Sequence, residues 1–145
     1  MGTSSAIGMK MEDGGVRAIR CNWDGYVAGV GVILGGWYTE TAKIEELLAL
    51  GDLSRLGTKI APEPGTTHTF AHPQPDVTVA YHRDRGERMK SARRYADVDA
   101  YRRDGKGDFG ADYLYLYANG KWYVYGVYGE RGFIEIDVTV GKEKK

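Results

Sequence analysis

The chain has 145 residues, enough for one sizeable core and too few for two ordinary domains. Twenty Lys and Arg balance twenty Asp and Glu, so no global field selects nucleic acid, acidic substrates or an anionic membrane, and any electrostatic function must come from local patches. One cysteine, Cys21, excludes an intrachain disulfide and a cysteine-rich zinc site.

Eleven Tyr against three Phe favour half-buried sheets and interfaces, where the ring packs and the hydroxyl finds a partner. "MGTSSAIGMK" lacks a basic stretch followed by an apolar run, so no secretory signal is read. The longest apolar-and-glycine run, "GYVAGVGVILGGWY", falls short of the roughly 20 residues that cross a bilayer. A cytoplasmic protein with no membrane partner is expected.

In chain order, "AIGMKMEDGGVRAIRC" predicts a hairpin. A two-residue Asp13-Gly14 turn sets Met11 against Val16, Met9 against Ala18 and Ile7 against Arg20 on a core face, with Lys10 against Arg17 on a wet one. "NWDGYVAGVGVILGGWY" reads as a glycine-rich helix capped by Asp24. "TETAKIEELLALG" is a clearer helix: Thr39 or Thr41 caps it, Ile44, Leu47 and Leu48 form its buried stripe, and Gly51 ends it. "GDLSRLG" reads as a short extra turn. All four prolines lie in "APEPGTTHTFAHPQPD", a long irregular loop over 61–76. "VTVAYH" is a strand, and a third helix is expected near 87–103. "DYLYLYANGKWYVYGV" is a hairpin about Asn119-Gly120 that pairs Tyr117 with Trp122, Tyr115 with Val124, Leu116 with Tyr123 and Leu114 with Tyr125. Both of its faces are apolar or aromatic, so both need covering, by the chain itself, by an oligomer or by a ligand. "GFIEIDVTV" adds a last strand. The expected fold is a single α+β domain over 1–140: a mainly antiparallel sheet of five to six strands, two helices in the N-terminal half and the third near 87–103, then a solvated tail, 141–145.

"YHRDRGE" and "GDFGAD" carry an H-R-D and a D-F-G, but the other parts of a protein kinase are missing. Met89 stands where the magnesium-binding Asn belongs, no V-A-I-K occurs, and Leu34 replaces the third glycine in "GVGVILGG". The same leucine breaks the dinucleotide fingerprint. What remains is local charge: residues 83–106 hold nine Lys and Arg against five acids. His82, Arg83 and Arg85, at the end of an apolar strand, form a candidate phosphate site with Asp84 or Glu87 orienting them, and a solvated, salt-bridged face is the competing reading. A metal set of His68, His72, His82 and Asp84 is set aside because the i,i+4 spacing of "HTFAH" falls in a proline-bounded loop; no metal or cofactor is expected. Cys21, opposite Ala6 in the expected register, is read as a small buried hydrophobe. In "CNWDGY", Trp23, Asp24 and Tyr26 serve either as packing and cap or as a wall on which a planar ligand stacks.

"SAIGMKMEDGGVRAIRCNWDGY", "ELLALGDLSRLG" and "TVAYHRDRGE", in that order over about two thirds of the chain, resemble a family of small bacteriophage and prophage proteins. The family pattern has a histidine at the position of Asn22 and a proline at that of Val27, where this chain departs from it. The resemblance transfers no catalytic residue. It implies a setting, the cytoplasm of an infected bacterium, and a class of role, counter-defence.

The leading expectation is a binding protein that captures a phosphate-bearing, nucleotide-like ligand with Trp23, Asp24, Tyr26, His82, Arg83 and Arg85, as a sponge for a host signal does, within a homo-oligomer. A phosphodiester or nucleotide hydrolase using His82 and Asp84 is the alternative. An inhibitor of a host defence protein is a third. Nucleic-acid binding ranks last because acids interrupt the basic segment.

Overall fold

The computed structural model describes residues 3–126 and 132–136. Within them lie eight strands in one open sheet and four helices, more strands than the five to six expected. The first hairpin joins β1 (Ser5–Lys10) to β2 (Val16–Cys21). Its register sets Ile7 opposite Ile19 and Gly8 opposite Ala18, one residue away from the pairing that a two-residue turn predicts. The loop is longer than that turn: Met11 N–H donates to Gly15 O at 2.7 Å and Gly14 N–H to Met11 O at 3.0 Å. Ile7 and Ile19 therefore enter one core together, while Ala6, Val16 and Ala18 enter the core on the opposite face. The expected wet face is absent because β1 is central, buried at every position but Lys10.

The chain leaves β2 through "NWDG". Asp24 does not cap a helix with its side chain; it sits at φ 58, and its carbonyl accepts the Val30 N–H at 2.9 Å. A Cβ on Gly29 would collide with that carbonyl, which is why a glycine stands there. A π-helical turn (Val27–Gly31) runs into α1 (Val32–Trp37), and α2 (Thr41–Ala49) follows. Ile44, Leu47 and Leu48 of α2 are buried as the stripe predicts, and Gly51 closes the helix at φ 77. Neither Thr39 nor Thr41 caps α2: Glu40 holds that position without a side-chain bond.

These helices carry the chain across to β3 (Leu53–Arg55), which lies parallel to β2, as a strand–helix–strand crossover does. The "extra turn" is thus a strand. The 61–76 loop leads to β4 (Val79–Ala80), antiparallel to β3, and then to α3 (Tyr81–Arg85). The helix expected near 87–103 is displaced. Its first half supplies β5 (Arg93–Tyr95), which pairs with the start of β2 where β3 leaves that edge open. α4 (Val98–Phe109) begins only where Asp97 Oδ1 accepts the Ala100 N–H at 2.8 Å, and Gly110 at φ 60 ends it, a capped start and a left-handed stop.

β6 (Tyr113–Ala118) and β7 (Lys121–Tyr125) pair in the expected register about Asn119 (φ 54) and Gly120 (φ 77), the left-handed pair a two-residue hairpin turn demands. β6 also lies parallel to β1, and β8 (Ile134–Glu135) pairs with β7. The order is β4-β3-β2-β1-β6-β7-β8, with β5 beside β2. The rest of the expected last strand and the tail 141–145 lie outside the described residues.

Helices α1 and α2 cover Ile7, Ile19, Tyr115 and Trp122 on one face; α4 covers Ala6, Ala18, Leu114 and Leu116 on the other through Tyr101. The buried tyrosines keep their hydroxyls satisfied: Tyr38 donates to Gly57 O at 2.7 Å, Tyr101 to Tyr115 O at 2.8 Å and Tyr115 to Gly25 O at 2.6 Å. The second face of β6, which an oligomer or ligand was one way to cover, is covered by α4. Among the described residues no helix is long and apolar enough to cross a membrane.

Candidate functional site

β4 ends at Ala80, so the H-R-D tripeptide lies on a single helical turn rather than on a strand end. Gly86 at φ 76 stops that turn. Inside it, Asp84 points back into the protein with its side chain 5% exposed. Its Oδ2 accepts the Ala80 N–H at 2.8 Å. Arg83 grips both of its oxygens, Nε to Oδ1 at 2.8 Å and Nη2 to Oδ2 at 2.9 Å. The same guanidinium reaches Ile60 O and Thr78 O, each at 2.7 Å. Burial opposes the Asp84 charge, but the Arg83 bonds, the Ala80 N–H and nearby His68 outweigh it and hold the carboxyl below its usual range.

His68 comes from the proline-rich loop, with its side chain 2% exposed and its Nε2 3.4 Å from Asp84 Oδ2. Its Nδ1 accepts the Gln74 N–H at 3.0 Å, so the ring carries its proton on Nε2 when neutral. Phe70 N–H donates to Asp84 O at 3.2 Å. Together these bonds fasten the 61–76 loop to α3. Arg83 spends Nε, Nη1 and Nη2 on Asp84 and on Ile60 and Thr78, which flank that loop, and presents no free fork to a ligand.

The outward half of α3 faces a cleft of about 730 Å³. Tyr81 and His82 line it, and so do Arg20, Arg88, Lys90 and Arg93. His82 Nδ1 donates to Glu87 O at 2.7 Å, leaving Nε2 for the cleft. Its three acids are engaged elsewhere: Asp52 accepts the Arg20 N–H at 3.1 Å, Asp108 the Tyr95 hydroxyl at 2.9 Å, and Glu87 pairs with Arg85 at 3.2 Å. The Arg20 guanidinium donates to Phe109 O and to Asn22 Oδ1, each at 2.8 Å, and Arg93 lies over the Phe109 ring at 5.6 Å. Among the described residues Arg88 and Lys90 make neither an ion pair nor a side-chain hydrogen bond.

Trp23, Asp24 and Tyr26 line a second groove, of about 620 Å³, that shares no residue with the first. Trp23 and Tyr26 are each 43% exposed there, and Tyr26 donates its hydroxyl to Asp24 Oδ1 at 3.2 Å. Arg85 lies over Phe70, 4.9 Å from the ring centre, besides pairing with Glu87. The six ligand-binding residues read from the sequence therefore fall in separate places: three on the second groove, His82 in the first cleft, Arg83 behind it and Arg85 beside it. Asp84 is held by Arg83, Ala80 and His68 while His82 Nδ1 is held by Glu87 O, and no hydrogen bond joins the two, so the pair does not form the acid–base arrangement of the hydrolase reading. Of the metal set, only His68 and Asp84 meet; among the described residues no group of three or more His, Cys, Asp or Glu is placed to hold a metal ion.

Cys21 is fully buried opposite Ser5, not Ala6, and burial pushes its thiol up to about 12. The cleft residues Arg88, Lys90 and Arg93 were hidden by the helix expected over 87–103, whereas Arg20 comes from β2. Their only sequence signal is the local basic excess. Searches of protein-family models, curated proteins and solved structures find no match to this chain.

Proposed function

We propose that this protein binds a phosphate-bearing, nucleotide-like ligand in the cleft beside α3. The observation that carries this reading is a pair of cations without partners among the described residues, Arg88 and Lys90, on a cleft whose acids are already engaged. An anion entering there meets unpaired positive charge. Nε2 of His82 adds a group that donates to a phosphate oxygen when protonated, and Tyr81 and Phe109 offer rings to a base. Pockets of this size take small molecules. In the setting that the phage-family resemblance implies, the ligand class to try first is a host nucleotide signal, held intact rather than turned over. Binding is favoured over hydrolysis because Asp84, the carboxylate that a His82 base needs for orientation, is committed to Arg83.

The test is scanning fluorimetry with mono-, cyclic and ADP-ribose-type nucleotides. A ligand at a hundred times its Kd adds about 2.7 kcal/mol, roughly 5–10 °C for a chain of this size. The shift is expected to vanish in Arg88→Ala/Lys90→Ala, and the ligand is expected back unaltered after denaturation. No shift with any nucleotide overturns the reading; an altered nucleotide turns it into an enzyme.

A further inference from the structure

The opposite face of the same sheet edge carries an electrostatic arrangement that the protein leaves incomplete. β2 and β5 run antiparallel with Arg17 directly opposite Arg94. Like charges facing each other across a ladder are unfavourable. Among the described residues neither arginine side chain has an ion-pair or hydrogen-bond partner, and the Arg17 Nε is buried without an acceptor. Buried N–H donors are nearly always satisfied, so an orphan calls for a missing acceptor.

Arg17 and Arg94 line a cleft of about 290 Å³ together with Glu45, Leu48, Met89 and Ser91. Strand alternation sets its arginines apart from the cleft beside α3, Arg93 lining that cleft and its neighbour Arg94 this one, while Ser91 borders both. Glu45 is the one acid among its lining residues, and it forms no ion pair with either guanidinium group. One unpaired carboxylate leaves two arginines undercompensated.

We propose that this cleft is a second anion site, in which a phosphate group sits between Arg17 and Arg94. Its oxygens accept from the Arg94 fork and, once the Arg17 side chain turns its buried Nε–H toward the cleft, from Arg17, and the Ser91 hydroxyl is at hand as a further donor. Arginine suits this task because its planar fork matches the geometry of tetrahedral oxyanions. The phosphate supplies both missing elements, the acceptor for the buried Nε–H and the charge that turns a repelling pair into a bridged one. Glu45 on the rim competes with the ligand and so tunes its affinity.

The experiment uses the full chain carrying Arg88→Ala/Lys90→Ala, which removes two cations of the other cleft and leaves Arg93 there, so the Arg17 and Arg94 variants, on the opposite face, are what tie binding to this site apart from the nucleotide reading. Inorganic phosphate is titrated by calorimetry at low ionic strength in chloride. Saturable binding is expected, weakened at least tenfold by Arg94→Met and by Arg17→Met and tightened severalfold by Glu45→Gln. Arg94 is exposed on a short strand, so its variant remains informative if Arg17→Met folds poorly. Methyl phosphate in place of the inorganic ion separates an esterified group from the free ion, and binding of either supports the site. No binding in this background, or binding that Arg94→Met leaves unchanged, overturns it.

Discussion

Asp84→Asn tests whether the H-R-D turn is an anchor. The aspartate accepts three charge-assisted or buried hydrogen bonds, from Arg83 Nε, Arg83 Nη2 and Ala80 N–H. An asparagine keeps one oxygen and turns an NH₂ toward donors. Removing one member of a buried ion pair costs about 3–5 kcal/mol. Because the Arg83 side chain is 27% exposed, part of its charge regains water, which places the expected loss near the lower end, about 3 kcal/mol. At roughly 2–4 °C per kcal/mol, the melting temperature should fall by about 6–12 °C, and urea midpoints should fall with it. The pH dependence has a definite sign. The folded-state pKa of Asp84 is depressed, so its contribution is present above the unfolded value of about 3.9 and is lost as pH falls through the lower folded value. The gap between wild type and variant should therefore be full at neutral pH and close below about pH 4. A loss under about 1 kcal/mol, the range of an exposed pair, would refute the anchor.

Arg85→Ala is the counterpart: its pair with Glu87 has side chains 55% and 46% exposed, and a stability change within about 1 kcal/mol is expected in the same urea titration. Cys21, with its thiol pushed up to about 12, should resist iodoacetamide at pH 8 until the chain unfolds; labelling faster than global unfolding contradicts its burial. The raised value also means that the neutral thiol's contribution is whole below the unfolded pKa of about 8.5 and declines as pH rises above it. Gly57→Ala places a Cβ against the Asp76 carbonyl and 2.7 Å from Val77 C, so a loss of about 1–3 kcal/mol is expected by thermal melts. Trp23→Ala, on the other groove, should leave any nucleotide-dependent shift intact in the fluorimetric assay; its loss moves the ligand to the Trp23–Tyr26 groove.

How much was legible depends on whether the deciding contact is local. The β6–β7 hairpin could be read residue by residue because Asn119-Gly120 admits few turns and the alternation on either side then determines the register. α2 was readable for a similar reason, since Ile44, Leu47 and Leu48 mark one helical face and Gly51 an end. The first hairpin slipped by one residue because "MEDGG" permits both a two-residue and a five-residue loop, and a slip of one exchanges the faces. β3, β4 and β5 are two or three residues long, too short for any period to show. Each exists because the edge of a longer strand recruits it: Arg93-Arg94-Tyr95 has helical company in sequence, but β2 offers it an open edge in space. The candidate site inherits this limit, as Arg88, Lys90 and Arg93 gain their meaning only once that segment is extended.

The H-R-D stretch shows why a tripeptide alone could not be assigned a chemistry. A helix of five residues sends its side chains both ways. Arg83 and Asp84 turn inward and tie down the loop, while Tyr81 and His82 turn outward to the cleft. From the sequence all four look like one polar cluster. In the fold, the inward pair can influence a ligand only by holding α3 in place, whereas the outward pair can touch it. The two halves are therefore separable by experiment: loss at Asp84 should appear as lost stability before any ligand is added, and loss at His82 as weakened binding in a protein that melts where wild type does. That separation also decides between anchor and catalyst for the buried carboxylate, because an Asp84 that worked as His82's partner would change product formation at temperatures where the variant is still folded.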